Sequence, residues 1–398
     1  MFSKRHQVFA APVGKVSVTK RAIVFESRYA GHTIGYASEF AATFAAAGYK
    51  TTFVLNGQAK GRPQIEAVLG TDLAYDIAWT EPFEPEFSSA THGEQELTAL
   101  NDAVSRFAPD RVIIPTGDSI AKALPLSAQA RALEAKLPRM QMVLHHIAAA
   151  HRPTGWHTLK RWWHGIAELR ALKRHRLLTC DAYIGEGPGQ WATKPSGVAV
   201  DFLPHILLKK SPFDVAQARA HFGLDPNTKV MVSIGDVAHR KGINHLIAAA
   251  EHPNWPAELT LLLAGPVSSK LKPELDRINQ ELPGRVHVID RFLSDDEFAA
   301  AYVASDIIWS VTPSNMGASS TFMYAALHDR AAIVAQNHPS ACWMCDKIGT
   351  GIPTTHDPAT ICETATKALN APKQTDKQAA FLARITDIAG YERISIAE

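Results

Sequence analysis

Two loops in the second half of the chain carry residue types that hold phosphate. The first, Ile234-Gly-Asp-Val-Ala-His-Arg-Lys-Gly242, follows a short apolar run. A strand, a turn at Gly235 and then Lys241-Gly242 opening a helix would set backbone N–H groups and an ammonium beside an anion. A diphosphate is the natural guest. Arg240 adds a guanidinium to the loop, and Asp236 adds a repelling carboxylate. The second loop, Thr312-Pro-Ser-Asn-Met-Gly-Ala-Ser-Ser-Thr321, offers Gly317 for a flexible backbone and the hydroxyls of Ser319, Ser320 and Thr321 at a helix start. Simple N-capping would use only one of those hydroxyls. A solvent-facing loop of ordinary basic residues is the plain alternative for the first.

Candidates in the first half are sparser. Val143-Leu-His145-His146 is an apolar run ending in two histidines, and either ring at a strand end can serve packing alone. Gly31, next to His32, would let a loop approach a substrate closely. Glu186 follows the apolar run Ala182-Tyr-Ile184 and is a candidate site carboxylate. Metal chemistry has little to stand on. There is no Asp-x-Asp, and Cys342-Trp-Met-Cys345 lacks the second ligand pair of a zinc site, Cys362 having no evident partner. No metal or cofactor is expected.

The elements that must position these residues are legible as alternation. Ala22–Phe25, Thr51–Leu55, Arg111–Ile114, Gln141–Leu144 and Ala182–Ile184 read as strands, with a helix from Tyr36 to Ala47 that stops at Gly48. A second series reads Val230–Ile234, Thr260–Leu263, Val286–Ile289, Ile307–Trp309 and Ala332–Ala335, with helices between. Continuous apolar strands separated by helices predict parallel sheets covered on both faces. Two series predict two Rossmann-like, doubly wound domains, residues 1–206 and 207–380, meeting in the proline-bearing segment Leu203 to Asp225. The last stretch, residues 381–398, begins as a helix and could pack back on the first domain. Ligands of such sheets sit outside the carboxyl ends of the strands, which is where the loops above fall.

Composition narrows the class. With 398 residues, 46% of them hydrophobic, the chain has ample material for two cores. A net charge of +2 gives no reason to expect a nucleic-acid partner. Four cysteines are too few for a disulfide scaffold and suit a reducing, cytoplasmic setting. The basic N-terminus has only a short apolar run broken by Pro12, unlike a signal peptide. One segment breaks the charge balance. Residues 151–176 hold seven Lys or Arg, three Trp and a single acid, Glu168. Leu159, Trp162, Ile166, Leu169 and Leu172 fall there at helical spacing, beside a cationic face. Such a helix either lies on an anionic membrane surface, at the inner membrane face, or packs its stripe on its own domain with the charges solvated.

The stretch Val230 to Ala335 resembles the donor domain of retaining, nucleotide-sugar-dependent glycosyltransferases of the GT-B fold (glycosyl transferases group 1, family 4-like). Gly235, Lys241 and Gly242, with the helix Ile243 to Ala250, match that family's first donor-domain loop. Ser294-Asp-Asp-Glu-Phe298, Tyr302, Asp306 and Pro313-Ser314 fall on its later run. In the first half, Gly31-His32, Gly48-Tyr-Lys-Thr-Thr-Phe-Val, Val143-Leu-His145-His146 and Gln217-Ala-Arg-Ala-His-Phe-Gly-Leu224 resemble its opening, its active-site histidine strand and its inter-domain entry. The resemblance implies two Rossmann-like domains facing each other across a cleft, the first for the acceptor and the second for the donor. It also implies transfer of a hexose to a glycan or lipid-linked acceptor, as in polysaccharide biosynthesis, without a bound metal. Lys241 would stabilise the leaving diphosphate, helped by Gly235, Arg240, Gly317, Ser319, Ser320 and Thr321. His145 would sit near the sugar, with Gly31, His32 and Glu186 on the acceptor side.

Three departures stand against that assignment. The family's loop arginine is Asp236 here, and its two glutamates fall on Gly317 and Ala325. These losses favour an alternative, a non-catalytic GT-B partner or scaffold in a glycan assembly complex. A sugar-nucleotide epimerase of the same fold would need clustered carboxylates that the motifs do not show.

Overall fold

The computed structural model describes residues 20–29, 33–62, 65–66, 69–70, 73–84, 90–137, 139–150, 153, 155–205, 210–312, 320–349, 351–371 and 376–397. Seven parallel strands form the first sheet: β1 (Arg21–Glu26), β2 (Lys50–Leu55), β3 (Asp76–Trp79), β4 (Arg111–Ile114), β5 (Gln141–Val143), β6 (Arg176–Thr179) and β7 (Val200–Phe202). Their order is β3-β2-β1-β4-β5-β6-β7. Six parallel strands form the second: β8 (Lys229–Ile234), β9 (Leu259–Ala264), β10 (Val286–Ile289), β11 (Ile307–Ser310), β12 (Ala331–Ala335) and β13 (Gly351–Thr354), in the order β10-β9-β8-β11-β12-β13. Each sheet reverses its direction of growth once, between β1 and β4 and between β8 and β11. A crevice opens at that point outside the carboxyl ends.

The apolar runs become strands because both faces are covered. Along β1, Ile23 and Phe25 enter one core while Ala22 and Val24 enter the other. Along β8, Val230, Val232 and Ile234 face one layer of helices and Met231 the opposite layer. At the amino end of the second sheet, Asp306 accepts hydrogen bonds from the Val230 amide at 3.0 Å and from Arg219 at 2.9 Å. Two of the motif residues quoted above thus tie the entry helix to the sheet. Ser294 closes a reciprocal cap with Glu297, starting the helix Asp295–Ala304.

Several sequence expectations are corrected. Ala182–Ile184 is not a strand but one helical turn, because the Asp181 carboxylate accepts the Tyr183 amide and caps it; the strand is the preceding Arg176–Thr179. Strands β3, β7 and β13 escaped the reading. Val200-Asp-Phe202 and Gly351-Ile-Pro-Thr354 lie at sheet edges, where short and polar sequences suffice. The cationic segment folds as the helix Trp156–Ala171, and its apolar stripe is core. Ile166, Leu169 and Leu172 are buried in the first domain with Trp162 packed against them, so that stripe does not face lipid.

The chain ends by returning to the first sheet. Tyr391, on the helix Ile388–Ile396, packs its ring 5.2 Å from that of Phe40. Arg111 and Arg176 donate to the carbonyls of Ile394, Ile396 and Ala397, satisfying the open end of that helix. The two halves also meet at Trp343, which packs against the cores of both and lies 6.1 Å from the Tyr183 ring. Among the described residues no helix is long and apolar enough to cross a membrane.

Candidate active site

In the second domain the site is built by a turn that only glycine makes. Gly235, directly after β8, sits at φ +82° and donates its N–H to the Ala264 carbonyl at 2.8 Å. The chain then makes one tight turn, His239–Lys241, and enters the helix Ile243–Ala250 through Gly242 at φ +67°. Trp309 of β11 holds this turn by donating its indole N–H to the Lys241 carbonyl at 2.8 Å. The Lys241 ammonium folds back and donates to the Ile234 carbonyl at 2.7 Å. Burial, and then the neighbouring Arg240, pull its pKa down to about 8. Arg240 points elsewhere: its Nε and Nη2 both donate to one oxygen of Asp236, at 3.1 and 2.8 Å. The residue that replaces the family's arginine therefore holds the arginine that could stand in for it.

On the other side of the β8–β11 crevice the helix Ser320–Leu327 begins, with Ser320 first and Thr321 second. The Thr321 hydroxyl faces the buried phenol of Tyr302, so it is turned into the core. Ala325 is buried there too. Gly317 and Ser319 lie outside the described residues.

In the first domain, the corresponding crevice lies between the loops after β1 and β4. Asp118, buried just beyond β4, accepts the amide N–H of His145 at 3.1 Å and of His146 at 2.6 Å. It thereby fixes the loop that leaves β5. The His145 ring nitrogen Nε2 lies 3.0 Å from the Pro115 carbonyl. A carbonyl only accepts, so Nε2 carries the proton and Nδ1 of the neutral ring is left as an acceptor. Glu186 ends the short helix Ala182–Gly185, and Arg384 grips both of its carboxylate oxygens. It joins the first domain to the helix Asp376–Ile385 rather than lining the His145 crevice. Gly31 and His32 lie outside the described residues.

Sequence reasoning missed a carboxyl cluster at this crevice. Glu26, the last residue of β1, accepts the Arg28 amide at 2.8 Å and the Thr116 hydroxyl. Ser27 donates to Glu96 at 2.7 Å, and the other Glu96 oxygen has no hydrogen-bond partner among the described residues. Burial raises Glu26 to about 7 and Glu96 to about 8. The signal was present. Glu96 shares the buried face of its helix with Gly93, Leu97 and Leu100, an acid on an apolar stripe. Three cysteines are elsewhere: Cys345 and Cys362 are buried in the second domain, and Cys342 is half-buried beside the Ala335 carbonyl. The fourth, Cys180, lies in the first domain with its Sγ 3.0 Å from the Tyr36 hydroxyl.

No family model and no curated protein sequence matches the chain. Solved structures do. A sucrose-phosphate synthase from Thermosynechococcus elongatus is 16% identical over 94% of each chain, with a TM-score of 0.61. An alpha,alpha-trehalose-phosphate synthase (UDP-forming) from Burkholderia vietnamiensis is 13% identical over 95% of each, with a TM-score of 0.60. Anabaena HepE, solved with UDP and glucose, is 15% identical over 93% of this chain and 94% of its own, with a TM-score of 0.57. The likeness covers both sheets: the chain has the GT-B fold, two Rossmann-like domains facing each other across a cleft.

Proposed function

We propose that the chain is a nucleotide-sugar-dependent glycosyltransferase that moves a hexose to a hydroxyl of a glycan or lipid-linked acceptor. The observation that carries this reading is the half-buried Lys241 ammonium at the β8–β11 crevice, held beside the Gly235 turn and the start of a helix. Structures of the same fold include one solved with UDP and glucose, which supports a UDP-sugar as donor.

In this reading the donor diphosphate lies over Gly235 and meets Lys241, which turns from the Ile234 carbonyl toward the phosphate oxygens. Arg240 exchanges Asp236 for phosphate, and Ser320 contributes at the start of its helix. The acceptor oxygen attacks the anomeric carbon from the face the diphosphate leaves, forming the new C–O bond as the bond to phosphate breaks. The departing phosphate oxygen takes the acceptor proton, so configuration is retained. Lys241 lowers the barrier by meeting charge that grows on the leaving group in a partly dry site. No metal or cofactor enters this scheme. Nδ1 of His145 accepts from a sugar hydroxyl, with Asp118 fixing the residue's backbone and the Pro115 carbonyl its ring.

Calorimetric titration against UDP, GDP, TDP and ADP, with their common sugars, tests the donor site. Binding of one base in the micromolar range supports it, and NMR of the product anomer then tests retention. The Asp236–Arg240 pair favours a second reading, a GT-B-shaped partner protein without catalysis. Absence of binding across the panel by folded protein is the result that would select it.

A further inference from the structure

The helix Trp156–Ala171 carries a second stripe, opposite the one that joins the core. Trp156, Lys160, Trp163, Ala167 and Arg170 recur at three- and four-residue spacing along its exposed side. Trp156 is 77% exposed and Trp163 54%, although indoles of this size are ordinarily covered. Arg161, Lys173 and Arg174 flank the stripe, and all three are exposed. Glu168 is the one acid of residues 151–176, and burial raises its pKa. Glu134 pairs with Arg174 at the far end, which leaves Lys160, Arg161, Arg170 and Lys173 as the charges along this face.

We propose that this outer face seats the protein on an anionic phospholipid surface, with the two indoles at headgroup depth and the lysine and arginines against lipid phosphate. Charge complementarity selects this occupant. An apolar protein partner would match two tryptophans but not the surrounding cations, whereas an anionic interface matches both. The topology adds a direction. In a parallel sheet the helix after β5 starts at the carboxyl edge, so Trp156 lies toward the crevice that His145 lines. A surface touched there would present a lipid-borne hydroxyl at the cleft mouth. The inference goes beyond the proposed transfer and does not depend on it, because lipid binding is read without donor or acceptor.

The full chain is sedimented with vesicles of phosphatidylcholine alone and with 30 mol% phosphatidylglycerol, at low and high salt. We expect pelleting on the anionic vesicles only, at least tenfold weaker in Trp156→Ala/Trp163→Ala and in Lys160→Glu/Arg170→Glu, and released by salt. Both double variants change exposed side chains, and circular dichroism with a thermal melt verifies that each is folded. Equal pelleting of wild type and variants overturns the proposal, as does failure to bind either vesicle. Retention on heparin without vesicle binding also overturns it, in favour of a soluble polyanion. A nucleotide titration of the same variants keeps the two readings apart: lost lipid binding with intact nucleotide binding concerns this face alone.

Discussion

On the proposed reading, in which Lys241 grips the donor diphosphate, donor binding is a titration. Burial and Arg240 hold its pKa at about 8, against an ordinary 10.5, so near neutrality the ammonium is charged only by a narrow margin. A diphosphate beside it favours the charged form and raises the pKa on binding. Above pH 8 the protein must therefore take up a proton to bind, and apparent affinity falls. If only the ammonium form grips phosphate, Kd rises about tenfold between pH 7 and pH 9, or about 1.4 kcal/mol. The phosphate's last ionisation, near ~6, is complete across this range and adds no slope. The assay is calorimetric titration of the nucleotide that binds, at pH 7, 8 and 9, in two buffers of different ionisation enthalpy to count protons. Lys241→Arg keeps its charge throughout and should lose the tenfold Lys241 component, keeping only the shallower slope that the first-domain acids impose. Lys241→Ala should lose that component too, and bind more weakly by about ten- to a hundredfold, the value of a charge-assisted hydrogen bond. The same slope in wild type and Lys241→Ala would refute the reasoning, because the titrating group would then be another.

The same pKa has a stability sign. The native value lies below the unfolded one, so the charged lysine disfavours folding below pH 8 and the penalty fades as pH rises toward 10.5. Lys241→Met should therefore stabilise the fold at pH 7 by about 1–2 kcal/mol once partial exposure is allowed for, read as a higher melting temperature. Glu96 runs the other way. Its native pKa, about 8, lies above the unfolded 4.5, so its contribution is complete below pH 4.5 and lost as pH rises through 8. Urea melts of Glu96→Gln should match wild type near pH 4 and gain on it by about 1.4 kcal/mol per pH unit in between; parallel profiles would sink the assignment. Asp118→Ala strands two part-buried amides and should lose about 1–3 kcal/mol, while Asp118→Asn loses less; in both, kcat should fall with nucleotide affinity unchanged. A double-mutant cycle on the exposed Glu186–Arg384 pair should return a coupling below about 1 kcal/mol.

The fold was legible because its signal is redundant. Each central strand is an apolar run buried on both faces, and Gly48, Gly235 and Gly242 mark turns at positive φ. Three of the four edge strands, β3, β7 and β13, were illegible for the same physical reason: β7 and β13 need not be apolar throughout, and Pro353 even sits inside β13, whereas the apolar edge strand β10 was read. At the site, chemistry on a single loop could be read, as with Gly235 and Lys241. Chemistry assembled from distant segments could not. Glu26, Glu96, Thr116 and Asp118 converge from a strand end, a helix and the segment just after β4, Glu26 and Thr116 being ninety residues apart. The direction of a side chain was equally out of reach. Arg240 and Lys241 are neighbours in sequence, yet one faces Asp236 and the other Ile234.

The two crevices pose opposite electrostatic problems, and their pKa shifts resolve both in favour of an anionic guest. Sequence alone counts Glu26, Glu96 and Asp118 as three negative charges at the first-domain crevice, which would repel a diphosphate brought against the second. Burial changes the count. With Glu96 raised to about 8 and Glu26 to about 7, one carboxyl is mostly protonated and the other about half so at pH 7. The two lie within each other's field, so they titrate as a pair, and the first proton to leave makes the second harder to remove. Arg28, which lowers both, adds positive charge to the same cluster. Across the cleft Lys241 is still mainly ammonium at that pH. Near neutrality, then, the first-domain acids carry far less than their formal charge while the donor-side cation keeps most of its own. Raising the pH through 8 reverses both conditions together, adding carboxylate and removing ammonium. Loss of donor affinity in wild type should therefore be steeper than the Lys241 titration alone requires, and Glu96→Gln should reduce that excess without changing the Lys241 slope.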